Sequence, residues 1–177
     1  MTTLATARDK LANLVQAQHS KYECDADRPL GGYTMTMAVY ASVVSAVAAS
    51  AKAAGVDIPD GLTSKDITLL ALATHKLSSL LAKDPVTSPL RAPVTAYQGT
   101  SGPAELHEEV RGSGAQKTVG ELITCPFCTG IWVATGFTTG MIFLPKTTRL
   151  AMGTLAGLAG ADLPQFGHAW LQQASEG

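Results

Sequence analysis

The stretch LITCPFCTGIWVATGFTTGMIFLP, residues 122–145, is the clearest candidate for a membrane-spanning helix. It contains 24 residues and no charged side chain. A helix needs about 20 apolar residues to cross the hydrocarbon core of a bilayer. Three further stretches are similar but weaker. Residues 29–51 carry no charge, residues 67–82 are apolar apart from His75 and Lys76, and the run from Leu150 meets its first charge at Asp162. The pattern predicts an all-α fold, a small helical membrane bundle of three to four spans.

Composition agrees with this class and excludes others. The net charge of −1 gives no basic excess for nucleic acid, so we expect none as a partner. Charged residues make up only 15% of the chain, and small residues favour close helix contacts in lipid. Three cysteines, an odd number, argue against a secreted disulfide framework. Because the mean hydropathy of +0.15 is low for four spans, a soluble helical bundle is kept as an alternative.

The chain divides into a charged head and an apolar body. Residues 1–28 are interpreted as a cytoplasmic segment with an amphipathic helix over 3–20, because four of its aliphatic residues fall near one helical face. Residues 29–177 form the predicted membrane domain, with a long loop at 83–118. The N-terminal tail and this loop carry four Lys or Arg each, and the two short links carry two each. The counts predict that the N-terminus and the loop face the cytoplasm, at the cell (inner or plasma) membrane.

The thiol pair Cys125 and Cys128 stands at the start of the clearest span, with Pro126 tolerated in a first helical turn. Three interpretations remain open. The pair is a redox couple with Glu121 nearby, as in a membrane thiol-disulfide oxidoreductase. It is half of a zinc or iron site, to be completed by His75, His107 or Cys24. Or it packs one helix end against its neighbours.

Polar residues inside the apolar stretches suggest contacts between helices. His75 and Lys76 are costly at membrane depth, and Glu121 and Asp162 are the candidate partners. GxxxG spacings let helices approach closely in lipid. They predict packing of the last two helices and a homo-oligomer or a membrane protein partner through four glycines, Gly136, Gly140, Gly153 and Gly157.

Two blocks, "HKLSSLLAKDPVTSPLR" (75–91) and "GELITCPFCTGIW" (120–132), resemble the domain of unknown function 1360 family. These are small bacterial membrane proteins that include a sporulation-associated member. The resemblance implies a helical membrane protein and gives no activity. Within the blocks we take these distinctive polar or aromatic positions as candidate binding residues: His75, Lys76, Lys83, Asp84, Ser88, Arg91 and Trp132.

We expect the loop residues to fold back over Glu121 and the thiols, with Lys83 and Arg91 available to a phosphate or lipid headgroup. The sequence therefore predicts a membrane binding or assembly protein with a cytoplasmic thiol site and assigns no enzyme activity. The alternatives are the thiol-disulfide oxidoreductase and the soluble bundle.

Overall fold

The computed structural model describes residues 29–102 and 104–176, together with residues 10, 13–14, 16–18 and 21–22. Its elements, in chain order, are α1 (Leu30–Ala53), α2 (Ser64–Lys83), a 3-10 turn (Pro85–Thr87), α3 (Ser88–Arg91), β1 (Thr95–Gly102), β2 (Glu105–Val110), α4 (Gly114–Thr124), α5 (Pro126–Phe143) and α6 (Pro145–Glu176). The amphipathic helix predicted at 3–20 falls largely outside the described residues, and the few residues described there are helical.

The mostly helical prediction is correct, but an all-α class is incomplete. The loop predicted at 83–118 contains an antiparallel hairpin of β1 and β2, whose register runs from Thr95 opposite Val110 to Gly102 opposite Glu105. The hairpin forms because its two strands are neighbours in the chain, so pairing closes only a short loop. α3 and the first five residues of α4 also lie within this region.

The third predicted span, residues 122–145, is interrupted near its start, because residues 122–124 end α4 and the rest of the span is mainly α5. α4 and α5 meet at Cys125 with a bend of 78°. The physical reason is Pro126: a residue before proline is pushed out of the helical region, and Cys125 has extended angles of φ −98° and ψ 109°. Cys125 is the N-cap of α5, and Thr63 is the N-cap of α2, where its hydroxyl accepts a hydrogen bond from the backbone of Asp66 at 3.1 Å.

The helix α2 is the centre of the bundle, because it packs against both α5 and α6. The buried residues at this junction are Ala73, Met141 and Met152, with four partly buried side chains around them, Leu69, Leu70, Phe137 and Leu155. The helix α1 packs more loosely against the rest of the bundle. α1 touches α4 and α5 but contributes a single buried residue, Ala51.

The contacts between helices fix their directions. Arg149 binds Asp66, and Lys76 binds Asp162, so α2 and α6 run parallel. Tyr33 bonds Glu121 and Tyr40 bonds Thr135, so α1 runs parallel to the α4–α5 segment. The pair of α2 and α6 runs opposite to the pair of α1 and the α4–α5 segment, because Gly130 near the start of α5 lies beside Ser78 near the end of α2. The hairpin, the start of α5 and the end of α2 therefore share one end of the bundle, which we call the loop end.

Among the described residues, α1 is the one helix that is long and apolar enough to cross a membrane by itself. α4 and α5 pass the same test only together, as a bent pair. The coarse statement that follows is a mostly helical chain with a candidate membrane span near its N-terminus.

Candidate functional site

A polar cleft lies at the loop end, between α2, the hairpin turn and α6. Its volume is about 380 Å³, which falls in the range of small-ligand sites. α2 contributes His75, Lys76 and Lys83, spaced so that they follow one side of the helix. Acidic and amide groups come from all three elements: Asp84, Glu105, Asp162 and Gln165. The cleft therefore gathers charges of both signs beside an otherwise apolar bundle.

One ion pair crosses the cleft. The Lys76 Nζ atom donates a hydrogen bond to Asp162 Oδ2 at 2.6 Å, and both side chains are mostly buried. The pair joins α2 to α6 and neutralises two charges that lie within apolar helices, where an unpaired charge is costly. Of the two partners that the sequence offered Lys76, the structure uses Asp162. Glu121 instead accepts a hydrogen bond from the Tyr33 hydroxyl of α1.

Four of the candidate binding residues come together in this cleft: His75, Lys76, Lys83 and Asp84. The Asp84 carboxylate accepts a hydrogen bond from the Val86 backbone at 2.8 Å and so caps the 3-10 turn. Within the described part of the chain, five side chains of the cleft lining have no hydrogen bond or ion pair: His75, Ser79, Lys83, Glu105 and Gln165. Three of them, His75, Lys83 and Glu105, are titratable.

Arg91 is enclosed behind the cleft rather than exposed in it. Its side chain is fully buried. One guanidinium nitrogen donates to the Leu81 carbonyl at 2.8 Å and to Thr87 Oγ1 at 2.7 Å, and another donates to the Asp84 carbonyl at 3.0 Å. Nε pairs with the Glu108 carboxylate of β2. Every edge of the guanidinium is thus used to fasten the hairpin to the end of α2, which positions the hairpin turn over the cleft.

The thiol pair forms a separate feature, at the bend between α4 and α5. Cys125 Sγ accepts a hydrogen bond from the Cys128 backbone at 3.2 Å, so the thiol caps α5. Both thiols are free, and Cys128 is exposed. Between them the ring of Phe127 is 91% exposed. The expected folding of loop residues over the thiols and Glu121 is not what the contacts give, because Arg91 binds Glu108 and Ser88 lies in α3, outside the cleft.

No group of three or more His, Cys, Asp or Glu side chains is arranged to hold a metal ion among the described residues. Neither His75 nor His107 stands in such a group with the thiols in this structure, and Cys24 lies outside the described residues. Trp132 packs edge-on against Tyr40, with ring centroids 5.2 Å apart, and fastens α1 to α5.

Sequence reasoning found Asp162 on the α6 side of the cleft but missed the other α6 residues and the hairpin side. Glu105 follows the turn of a hairpin that was not predicted, and Gln165, Phe166 and Ala169 lie in a helix predicted from its apolar residues alone. A signal was available for α6: Phe166 and Ala169 recur at helical spacing after Asp162, which places all three near one face.

Comparison with known proteins places this cleft within a family. Residues 69–167 match the model described as protein of unknown function (DUF1360), more than half of the chain. The chain belongs to the DUF1360 family. The match covers almost all of the cleft but not α1. Within the curated proteins, the sporulation protein YjcA of Bacillus subtilis (strain 168) is 31% identical over 119 residues, which is 64% of this chain and 98% of that protein. No solved structure matches this DUF1360 chain.

Proposed function

We propose that the chain is a small integral membrane protein of three to four spans that binds a ligand or partner at the loop-end cleft. One observation carries the proposal: the bundle buries few large apolar side chains, encloses several polar ones, and exposes many large apolar side chains. The enclosed side chains include Asp66, Ser78, Arg91 and Thr118. Large apolar side chains face outward instead, on every long helix, among them Met37, Ile67, Ile131, Leu150, Leu163 and Trp170. Such exposed apolar area is a liability in water and is expected in lipid.

The helix directions support the same setting. α1 and α5 run one way while α2 and α6 run the other, as successive spans of a membrane protein must. α6 has 32 residues, about 48 Å, so it is long enough to cross and then continue past the loop end. α2, with 20 residues, carries its charges near its ends and at the paired Lys76. In this proposal the loop end and the N-terminus face the cytoplasm.

The glycines support an assembly role. Gly140 faces Thr148 closely enough that a Cβ would lie 2.6 Å from its hydroxyl oxygen, so it serves the turn between α5 and α6. A Cβ built on Gly136, Gly153 or Gly157 would meet nothing within 4 Å. These three positions leave grooves that a helix of a second copy can enter, which is the kind of contact that small residues permit in lipid.

A biological setting comes from the relative alone. YjcA is named a sporulation protein, and we extend to this chain the proposal that it acts in the same process. In a spore-forming host, deletion of the gene should lower the yield of heat-resistant spores, and the wild-type gene should restore it. An unchanged spore yield would contradict this part of the proposal without touching the membrane assignment.

The decisive experiment is membrane extraction. We expect the protein to stay in the membrane pellet after alkaline carbonate and to enter solution only with detergent. Release by carbonate would overturn the proposal in favour of the soluble bundle. Orientation is tested in a Cys24→Ser background with a membrane-impermeant maleimide. Cys128 should react in inverted vesicles and stay unlabelled in intact cells, and the reverse pattern would contradict a cytoplasmic loop end.

The thiol pair sustains a second candidate function, a thiol-disulfide oxidoreductase or a metal half-site. The observation in its favour is that two free thiols share one helical turn at an exposed helix start. Protein purified without reductant should be assayed for bound metal and for free thiols in the same sample. A bound zinc or iron lost in Cys125→Ser would support the metal site, and reversible loss of two thiols would support the redox couple. Reduced thiols without metal would contradict both.

A further inference from the structure

Some charged and polar side chains of the cleft have no partner within it. Lys76 and Asp162 neutralise each other, whereas the Asp84 carboxylate caps the 3-10 turn and keeps its negative charge. Besides Asp84, the cleft contains the Lys83 ammonium group and the His75 imidazole on α2, together with the Glu105 carboxylate on β2. The cleft thus offers a cationic donor, a second nitrogen donor and an anionic acceptor. A ligand that satisfies all of them carries both an anionic group and an ammonium group.

The cleft also opens onto an apolar strip. Beyond Asp162, α6 presents Leu163, Phe166 and Trp170, which recur at i, i+3 and i+7 and so lie within about 60° of one another around the helix. Leu163 is 73% exposed and Trp170 is 68% exposed. Phe166 belongs both to the strip and to the lining of the cleft. A polar pocket and an apolar surface therefore meet at one side chain.

The position of the cleft along the bundle adds a third argument, which rests on the proposed membrane setting. Lys83 is the last residue of α2, so the cleft lies where that span would leave the hydrocarbon. Lysine and tryptophan side chains at this depth are placed among lipid headgroups. A lipid in the adjoining leaflet would reach the cleft with its headgroup while its chains stay beside α6.

We propose that the cleft binds one glycerophospholipid whose headgroup carries a phosphate and a primary amine, the ethanolamine class. The phosphate lies against Lys83 and His75, the ammonium group against Glu105, and an acyl chain along Leu163, Phe166 and Trp170. The pairing is non-covalent and uses charge-assisted hydrogen bonds, which are stronger than neutral ones. The carboxylate of Glu105 selects against a headgroup that is only anionic.

The test uses full-length protein, purified in detergent and freed of lipid, with lipid binding followed by native mass spectrometry. We expect one dioleoylphosphatidylethanolamine per chain, bound more tightly than dioleoylphosphatidylglycerol or dioleoylphosphatidylcholine. Lys83→Gln should weaken this binding by about tenfold, the usual effect of losing one charge-assisted contact. Lys65→Gln is the matched control, because this exposed lysine lies at the opposite end of the same helix. Equal binding by both variants would overturn the proposal.

Two further variants separate the headgroup from the lipid. Glu105→Gln should remove the preference for the ethanolamine lipid over the glycerol lipid, and an unchanged preference would contradict the role given to Glu105. Phe166→Ser should weaken binding of the lipid but leave binding of soluble phosphoethanolamine unchanged. If phosphoethanolamine alone binds as tightly as the lipid, the ligand is a free phosphate ester and the lipid proposal fails.

The outcomes also separate this inference from the proposed function. A protein that stays in the carbonate pellet but binds none of the three lipids selectively contradicts the inference alone. A protein released by carbonate contradicts both.

Discussion

Arg149 donates two hydrogen bonds to Asp66, from Nε to Oδ1 at 2.8 Å and from Nη2 to Oδ2 at 3.3 Å. The contact ties the first turn of α6 to the first turn of α2, at the end of the bundle away from the cleft. Thr63 donates to the same carboxylate at 2.8 Å. One buried carboxylate therefore holds the N-cap side chain of its own helix and aligns a second helix.

This contact predicts a pH dependence of stability. Hydrogen bonds from Arg149 and from Thr63 lower the pKa of Asp66 from 3.8 to about 2. Because the pKa is lower in the folded state, the stabilisation is present above about pH 4 and is lost as the pH falls toward 2. We expect Asp66→Asn to lower the unfolding temperature in detergent at pH 7, with the difference from wild type shrinking below pH 4. Asp60→Asn, at an exposed loop position, should show no such difference at any pH. A constant difference for Asp66→Asn would contradict the linkage.

Arg91 should be among the most sensitive positions in the chain. Removing one partner of a buried ion pair costs about 3–5 kcal/mol, because the other charge is left without compensation. We expect Arg91→Gln to lower the free energy of unfolding by about 3 kcal/mol and to release the hairpin to proteases. Arg91→Lys should fail to rescue, since an ammonium group cannot reach four acceptors in the plane of a guanidinium.

Arg111→Gln is the control for this prediction. Its guanidinium makes an exposed hydrogen bond to the Ala92 carbonyl at 2.7 Å, so its loss should be nearly neutral. Denaturant titration of the three variants is the measurement. Similar losses for Arg91→Gln and Arg111→Gln would contradict the buried role of Arg91.

The two cysteines should respond differently if their role is structural. Cys125 caps α5 with its sulfur, whereas Cys128 supplies only a backbone N–H to that contact. Cys125→Ser should keep the cap, and Cys125→Ala should lose about 1 kcal/mol, the usual value of an N-cap. Cys128→Ala should be neutral. Thermal unfolding decides between the roles, because a metal site or a disulfide would make Cys128 as important as Cys125.

Close backbone approach predicts an asymmetry between two neighbouring glycines of α1. A Cβ at Gly32 would lie 1.9 Å from the Thr118 hydroxyl oxygen and 2.9 Å from its Cβ, whereas a Cβ at Gly31 would meet nothing within 4 Å. Gly32→Val should therefore separate the start of α1 from α4 and increase proteolysis in the link at 111–113, which leads into α4. Gly31→Val is the control, because it makes the same Gly-to-Val change in the same helical turn and so has a similar effect on helix propensity. Equal protection of both variants would contradict the tight contact.

Local signals in the sequence predict the helices well. Charge-free runs mark α1 and α5, and Thr63 and Cys125 are recognisable as helix caps because each stands at a change of local pattern. The bend at Cys125 was readable in principle from Pro126. The hairpin was not, because its strands contain Gly99 and Gly102 and lack regular alternation of apolar and polar residues.

The site depended on contacts between residues far apart in the chain. Lys76 pairs with a residue 86 positions later, so either Glu121 or Asp162 was acceptable until the parallel packing of α2 and α6 was known. Arg91 was interpreted as a phosphate ligand because its residue type suits that role. Its actual partners, two carbonyls of the preceding turns, a hydroxyl and Glu108, follow only from how the hairpin folds back.

The position of α1 outside the family match has a consequence for orientation in the proposed membrane setting. α2, α5 and α6 are three helices of alternating direction, so a unit made of them alone presents its two ends to opposite compartments. Adding α1 changes the number of alternating helices from three to four, an even number. In the proposed setting, whatever precedes Leu30 then shares a compartment with the cleft and with the end of α6. In this topology an added first helix thus places the residues that precede it on the same side of the membrane as the proposed ligand-binding cleft.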